Sequence, residues 1–424
     1  MLKRTALMES ISSNLHNFLK KTGRNLSLPD KKFLRDSFIG LIRAGQPVVC
    51  KMARHLPNQR TQFISRLDRL DQHLVKDNAF DRQVEQTLPE LWLPYIREDT
   101  PIILDLSDIA KPLAKMMDYL ATVRDGSTGQ LVNGYWLVEM YASVSRKNPI
   151  PILLEPFSHQ EPYAPGQNPV VINAISHIFE LTGNRGVLIC DRGFDGRVLL
   201  ADWLDKGYRF VVRLVGSRHL LRFCGDSEAA DNGQWLPIRA HILADQTPTP
   251  HRFYKLIKRK GRPTLRLTQI GWVKVRLPGN EADLTLVVSR LLGRDTPLML
   301  LTNLPVQNAK DAKRVLRQYA RRWECEEAIR FLKSQVCLER IRTFRWCAIR
   351  RLVLLCALVM IYLAWLVESH PVMAERLIRL SQPLTNNADF LGYRLLTGLT
   401  EVINACFWLH RDMLRRSLYQ NPEV

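Results

Sequence analysis

Acid is scarce in this chain: 41 Asp+Glu stand against 61 Lys+Arg, a formal net charge of +20. A surface of one sign gathers polymers of the other, so the natural partner is a large polyanion, nucleic acid first. The eight cysteines (Cys50, Cys190, Cys224, Cys325, Cys337, Cys347, Cys356 and Cys406) form no CxxC pair and no Cys/His zinc spacing. That excludes a zinc ribbon and a disulfide framework, and predicts reduced, mostly buried thiols of a cytoplasmic protein. The N-terminal "MLKRTALMESISSNLHNFLKK" lacks the continuous apolar core of a signal peptide. Internal repeats and low-complexity tracts are also missing. The longest run without charge, "LVLLCALVMIYLAWLV" at 352–367, falls short of the roughly 20 residues a membrane span needs. It reads as a buried core helix, with no membrane partner.

At 424 residues, 46% hydrophobic and 24% charged, the chain is that of a globular protein with two or more domains. Residues 1–98 read as helices with short breaks. In "PVVCKMARHLPNQRTQFISRLDRLDQHLV" (47–75) the break "LPNQ" separates two helices. Asn58 is placed to cap the second, whose face carries Arg60, Arg66 and Arg69. A basic second helix after a short turn suits DNA binding. Beyond Pro101 the pattern becomes strand-like: "PIILDLSD" (101–108), then "GYWLVEMYASVS" and "PIPILLEPF" as a hairpin. A helix at 169–182 leads to the apolar strand "GVLICDRG", a helix at 196–207 and the strand "YRFVVRLV". Residues 216–295 change character: 251–277 alternates in strand fashion around the basic turn "KRKGRP", "DLTLVVSRL" continues it, and α/β patterning resumes with "LMLLTNLP" and a long helix from Lys310.

The fold class expected is therefore α/β, with a mixed sheet. Its ranges are a helical region at 1–98, a core at 99–215 and 296–345, a β-rich insertion at 216–295, and a C-terminal helical region at 346–424.

Two strands are expected to end on an acid, Asp105 after "IIL" and Asp191 after "VLIC". Strand ends at one sheet edge are where α/β proteins commonly put chemistry. Asp108 and Asp195 suit turn or cap roles better, Asp195 as N-cap of the next helix, although Asp108 is an alternative to Asp105. Paired carboxylates suit a hard divalent cation such as Mg2+, and phosphodiester chemistry wants a third. The helix "YARRWECEEAIRFLKSQ" (319–335) can supply it. At about 100° per residue, Tyr319, Arg322, Glu326 and Lys333 share an arc of about 60°, Arg330 flanks it, and Glu327 points elsewhere. Arginine forks onto phosphate oxygens and lysine acts as a point charge.

The spacing Y-x2-R-x3-E-x6-K, with "LDLSD", "ICDRGFD" and "DGSTGQLVNGYWLV" before it, resembles DDE transposases of bacterial insertion sequences. The branch resembled has a β-strand insertion between the second Asp and the Glu. The resemblance covers roughly residues 101–345. It implies a ribonuclease-H-like core whose Asp105, Asp191 and Glu326 bind two Mg2+ ions, Mn2+ substituting. It also implies that Tyr319, Arg322, Lys333 and Arg330 hold DNA. The implied reaction is cleavage at terminal inverted repeats and strand transfer into target DNA, by a homodimer in a synaptic complex. The implied setting is bacterial cytoplasm, at the nucleoid. Some relatives pass through a hairpin with a base flipped against an aromatic of the insertion, for which Trp235 and Trp272 are candidates here. A nuclease without strand transfer and a non-catalytic DNA-binding regulator are the alternatives.

Overall fold

The computed structural model describes residues 2–56, 61–145, 148–224, 234–259, 262–381 and 390–409. Asn58 and Arg60 lie outside the described residues. The chain folds into two compact units, one formed by Met1–Ile96, Leu106–Gly166 and Glu324–Val424, the other by Arg97–Asp105 and Gln167–Trp323.

In the first unit six helices come first: α1 (Leu2–Thr22), α2 (Leu28–Ala44), α3 (Val49–Arg54), α4 (Phe63–Val75), α5 (Phe80–Glu85) and α6 (Pro89–Trp92). Helix α2 shows why boundaries fall where they do. Ser27 accepts from the Asp30 N–H at 3.3 Å, a proline follows in the first turn, and Gly45 closes the helix at φ 64°. The apolar faces of these helices supply a core that includes Phe18, Phe38, Phe80 and Trp92, all essentially without exposure. Of the basic residues expected on α4, Arg69 is paired with Asp36 at 2.6 Å, and Arg66 donates to the Leu56 carbonyl at 3.3 Å.

The sheet strands follow: β1 (Pro101–Ala110), β2 (Ala121–Arg124), β3 (Leu131–Ser145) and β4 (Asn148–Phe157). After α7 (Gln167–Thr182) come β5 (Val187–Cys190), α8 (Arg197–Asp205) and β6 (Phe210–Arg213). The chain then adds β7 (His219–Cys224), β8 (Gln234–Arg239), α9 (Ala240–Gln246), β9 (His251–Arg259), β10 (Arg262–Arg276), β11 (Leu284–Leu291) and β12 (Leu298–Thr302). Next are α10 (Ala309–Ala320) and α11 (Arg322–Ser334), and finally α12 (Trp346–Ser369), α13 (Pro371–Leu380) and α14 (Gly392–Leu409).

The expected mixed α/β sheet is what forms. In the first unit β3 pairs antiparallel with both β2 and β4 and neighbours β1. In the second the order is β1-β5-β6-β12-β11-β10-β7-β8, with β9 on β10. Strands β1, β5 and β6 are parallel and the added strands antiparallel. The parallel strands are buried on both faces, as their unbroken apolar runs require. Gly186 enters β5 at φ 106°, where an added Cβ would sit 2.4 Å from the Ile102 side chain. Only glycine fits there.

Two local expectations are corrected. Strand β1 does not stop at Asp105 but continues to Ala110, since the residues beyond are hydrogen-bonded onward, Lys111 N–H reaching the Asn133 carbonyl at 2.7 Å. The stretch 319–335 is not one helix. It breaks at Arg321, whose N–H bonds back only three residues to Gln318.

Helix α12 is long and apolar enough to cross a membrane by length and composition, yet its apolar window is 83% buried within the protein. Arg351, immediately before the uncharged run, is itself buried in α12. It forks onto Asp81 at 2.9 and 3.0 Å and donates to the carbonyls of His73, Leu74 and Lys76. A buried guanidinium is tolerable only when its donors are this fully used.

Candidate active site

In the second unit, β1 and β5 pair in parallel with Ile102 opposite Leu188 and Ile103 opposite Ile189. Two further steps of that register bring Asp105 level with Asp191. Strands β5 and β6 pair with Cys190 opposite Val212, so one further step brings Asp191 level with Arg213. Neighbouring strands lie about 4.8 Å apart, so an Asp–Asp–Arg row crosses three adjacent parallel strands.

Cys190, fully buried beneath this row, carries the same signature. Burial pushes its thiol well above the ordinary range, and the charges of Asp191 and Asp105 push it further. Arg322 opens α11 with its guanidinium 3.6 Å from the Asp105 carboxylate, an ion-pair distance rather than a hydrogen bond. Its plane lies against the Trp323 ring at 5.5 Å. Tyr319 is buried, which holds its phenol above the usual value. Asp191 adds to that effect, while Arg322 and Arg213 oppose it. Tyr319, Arg322, Arg213 and the two aspartates therefore form one electrostatic neighbourhood.

Asp191 has a second part that sequence reasoning withheld from it. It caps the short turn Arg192–Phe194, accepting the Gly193 N–H at 2.5 Å. Asp195 does not cap α8, because Gly196 holds the N-cap position. It accepts instead from the Val215 N–H at 2.8 Å and from Arg218 at 2.6 Å.

The other expected residues belong to the first unit, on α11. Glu326 is half-buried one turn beyond Arg322. Glu327 pairs with Arg330 at 2.7 Å on the exposed side. Lys333 lies between two carboxylates, 2.8 Å from Asp108 and 3.0 Å from Glu339. Burial works against its charge, yet these partners hold its pKa above the ordinary value. Asp108, offered from sequence as an alternative ligand, also accepts the Gly126 N–H at 3.1 Å. Its Oδ1 serves both donors, and its Oδ2 is buried without a partner. Among the described residues no three His, Cys, Asp or Glu side chains form a metal-holding group.

Sequence reasoning missed Arg213 and Lys111. Arg213 was legible as the last residue of "FVVR", the strand next to that of Asp191. Lys111 had no signal, since its partners are the carbonyls of Glu339 and Ile341, at 2.5 and 2.8 Å. Burial lowers its pKa to about 8. Below pH 8 both folded and unfolded chains carry the charge, and the folded one bears the burial penalty. Between pH 8 and about 10.5 the folded chain releases its proton first, so stability should rise by about 3 kcal/mol. The check is unfolding free energy of wild type minus Lys111→Met at pH 7.5 and pH 10. The difference should move in favour of wild type at the higher pH, and a constant difference would refute the assignment.

The aromatics of the added strands are engaged. Arg276 lies 4.5 Å over the Trp235 ring, which also meets Phe223 edge-on, and Trp272 stacks on His251 at 5.3 Å.

Residues 166–362 match the family model of the transposase DDE domain. The chain carries a DDE transposase domain. The matched segment holds Asp191, Tyr319, Arg322, Glu326, Arg330 and Lys333, and begins downstream of Asp105. Among solved structures, this chain resembles one titled "Cryo-EM structure of piggyBac transposase synaptic complex with hairpin DNA (SNHP)". The identity is 12% and the TM-score 0.44, over 92% of this chain and 75% of that one. No curated protein shows a significant match. Within the transposase domain, Asp191 and Arg213 occupy neighbouring strand ends of a buried parallel sheet, a setting in which charge is retained only for a partner or a reaction.

Proposed function

We propose that this chain is a DNA transposase that cuts at terminal inverted repeats and transfers the released strands into target DNA. The observation that carries the reading is the parallel register of β1 and β5, which, continued two residues past Ile103 and Ile189, sets Asp105 level with Asp191 in a chain with a DDE domain. Two hard carboxylate donors at this spacing suit Mg2+, and the proposed set is Asp105, Asp191 and Glu326. When bound, the two ions would supply an activated attacking oxygen and charge stabilisation at the leaving oxygen.

The chain's own residues have separate tasks. Arg322 balances Asp105 in the protein alone and offers a fork to a DNA phosphate when substrate arrives. Tyr319, kept in its neutral phenol form, offers a hydroxyl donor in the same neighbourhood. Arg213 adds positive charge beside Asp191, and the helices of residues 1–98 are assigned to binding the DNA ends. The working form is a homodimer acting in the bacterial cytoplasm, at the nucleoid.

The test incubates purified protein with a terminal-repeat duplex, a target plasmid and Mg2+. The expected result is nicking followed by joined product, absent in Glu326→Ala. Cleavage without joining would support a nuclease instead, and binding without cleavage a regulator. Arg322→Ala should weaken binding across all DNA sequences and make the slope of log affinity against log salt shallower by about 0.9. An unchanged slope in filter binding would remove Arg322 from the phosphate contacts.

A further inference from the structure

In the first unit, two loops of different origin are bonded side by side. Lys111, just past β1, donates to the Ile341 carbonyl at 2.8 Å, and the Asp118 N–H donates to the Phe344 carbonyl at 2.8 Å. Residues 112–117 therefore run alongside 341–344. Tyr119 packs edge-on against Trp346 at 6.4 Å, and the Asp118 carboxylate accepts the Trp346 N–H at 3.1 Å. The platform is fastened at both ends, yet it presents large apolar side chains to solvent. Leu113 is 92% exposed, Met116 77% and Phe344 67%.

The charges around it are one-sided. Lys115, Arg342 and Arg345 are exposed. The neighbouring carboxylates are turned to internal work: Asp118 on Trp346, Glu161 on the Trp346 indole N–H at 2.8 Å, and Glu339 on Lys333. A solvated apolar cluster in a ring of bases, its acids withdrawn, does not suit a second copy of this basic chain, because like charges would meet. It suits a polyanion whose interior is apolar. Leu, Met and Phe are residue types that wedge between base pairs while Arg and Lys hold the flanking phosphates.

We propose that Leu113, Met116 and Phe344 form a wedge that opens a base step in duplex DNA, with Lys115, Arg342 and Arg345 gripping the backbone on either side. The proposal rests on the reading of the chain as a DNA-cutting protein and adds a deformation of the substrate to it. Opening a step costs a few kcal/mol of stacking, which a mismatched duplex does not require.

The experiment uses the full chain and a 30-base-pair duplex with 2-aminopurine at its central step. Wild type should raise the fluorescence several-fold on binding and favour a centrally mismatched duplex about tenfold. Leu113→Ala/Met116→Ala/Phe344→Ala should lose both, and Phe344→Ala alone, a change at an exposed side chain, should lose most of the signal. Phe344→Leu should restore it. Lys115→Ala/Arg342→Ala/Arg345→Ala should keep the fluorescence rise at saturation with a salt slope shallower by about 2.7. An unchanged signal in the apolar triple variant would overturn the wedge. So would a wild-type dimer, seen by light scattering without DNA, that the same variant dissociates. Asp191→Asn separates the two readings: if it also fails to cut, an intact signal supports the wedge independently of the chemistry. Wild type that binds no DNA would overturn both.

Discussion

Asp191→Asn is expected to reduce DNA cleavage by at least about 10³-fold while leaving fold and DNA binding intact. Asparagine keeps the side-chain oxygen that accepts the Gly193 N–H, so the turn after β5 retains its cap. What it removes is the charge. If that carboxylate holds a divalent cation, its loss forfeits several kcal/mol of charge stabilisation, and about 4 kcal/mol corresponds to three decades in rate. Asp191→Ala removes both cap and charge, so the pair separates structure from chemistry. A thermal midpoint equal to wild type for Asn and lower for Ala is the structural half of the expectation. Cleavage by Asp191→Asn within tenfold of wild type would end the metal-ligand reading of this residue.

The second large effect concerns Lys333. A lysine that only grips DNA from a solvated face can be replaced with little change in stability, within about 0.5 kcal/mol. Lys333 is different, because Asp108 is only 3% exposed and depends on it. Lys333→Ala leaves a buried carboxylate facing the Gly126 N–H alone. Breaking a buried pair costs about 3–5 kcal/mol, and since Lys333 is itself 22% exposed the lower end applies, about 3 kcal/mol. Urea unfolding should show the first transition moved to lower denaturant. In the double variant Lys333→Met/Asp108→Leu most of that loss should return, because no charge is left stranded. A single variant with the midpoint of wild type would make Lys333 a DNA contact and not a strut.

Much of the fold was legible because its signals are local. The apolar run "VLIC" can only be an interior strand, and the two-residue alternation of 251–277 becomes β9 and β10. Glu326 separated from Glu327 by helical angle alone, and Glu327 does pair with Arg330. What failed did so where distant chain decides. Asp105 did not end its strand because the hydrogen-bond partner that extends β1 comes from residue 133. Asp195 looked like a cap by position, but Arg218 and Val215 claim it from beyond β6. The break at Arg321 has no glycine or proline to announce it. Lys111 is invisible in sequence because carbonyl oxygens, its partners, belong to every residue type.

Cys190 makes the two aspartates observable without any reaction. It is fully buried immediately before Asp191 in the chain, and burial together with the charges of Asp191 and Asp105 holds its thiol far from the reactive thiolate form. An alkylating reagent can reach it only when strands β1, β5 and β6 part. With the other cysteines replaced, the rate of Cys190 labelling is therefore a clock for local opening of the Asp105–Asp191 row. Anything that binds across the row and holds the strands together should slow that clock by its own binding free energy.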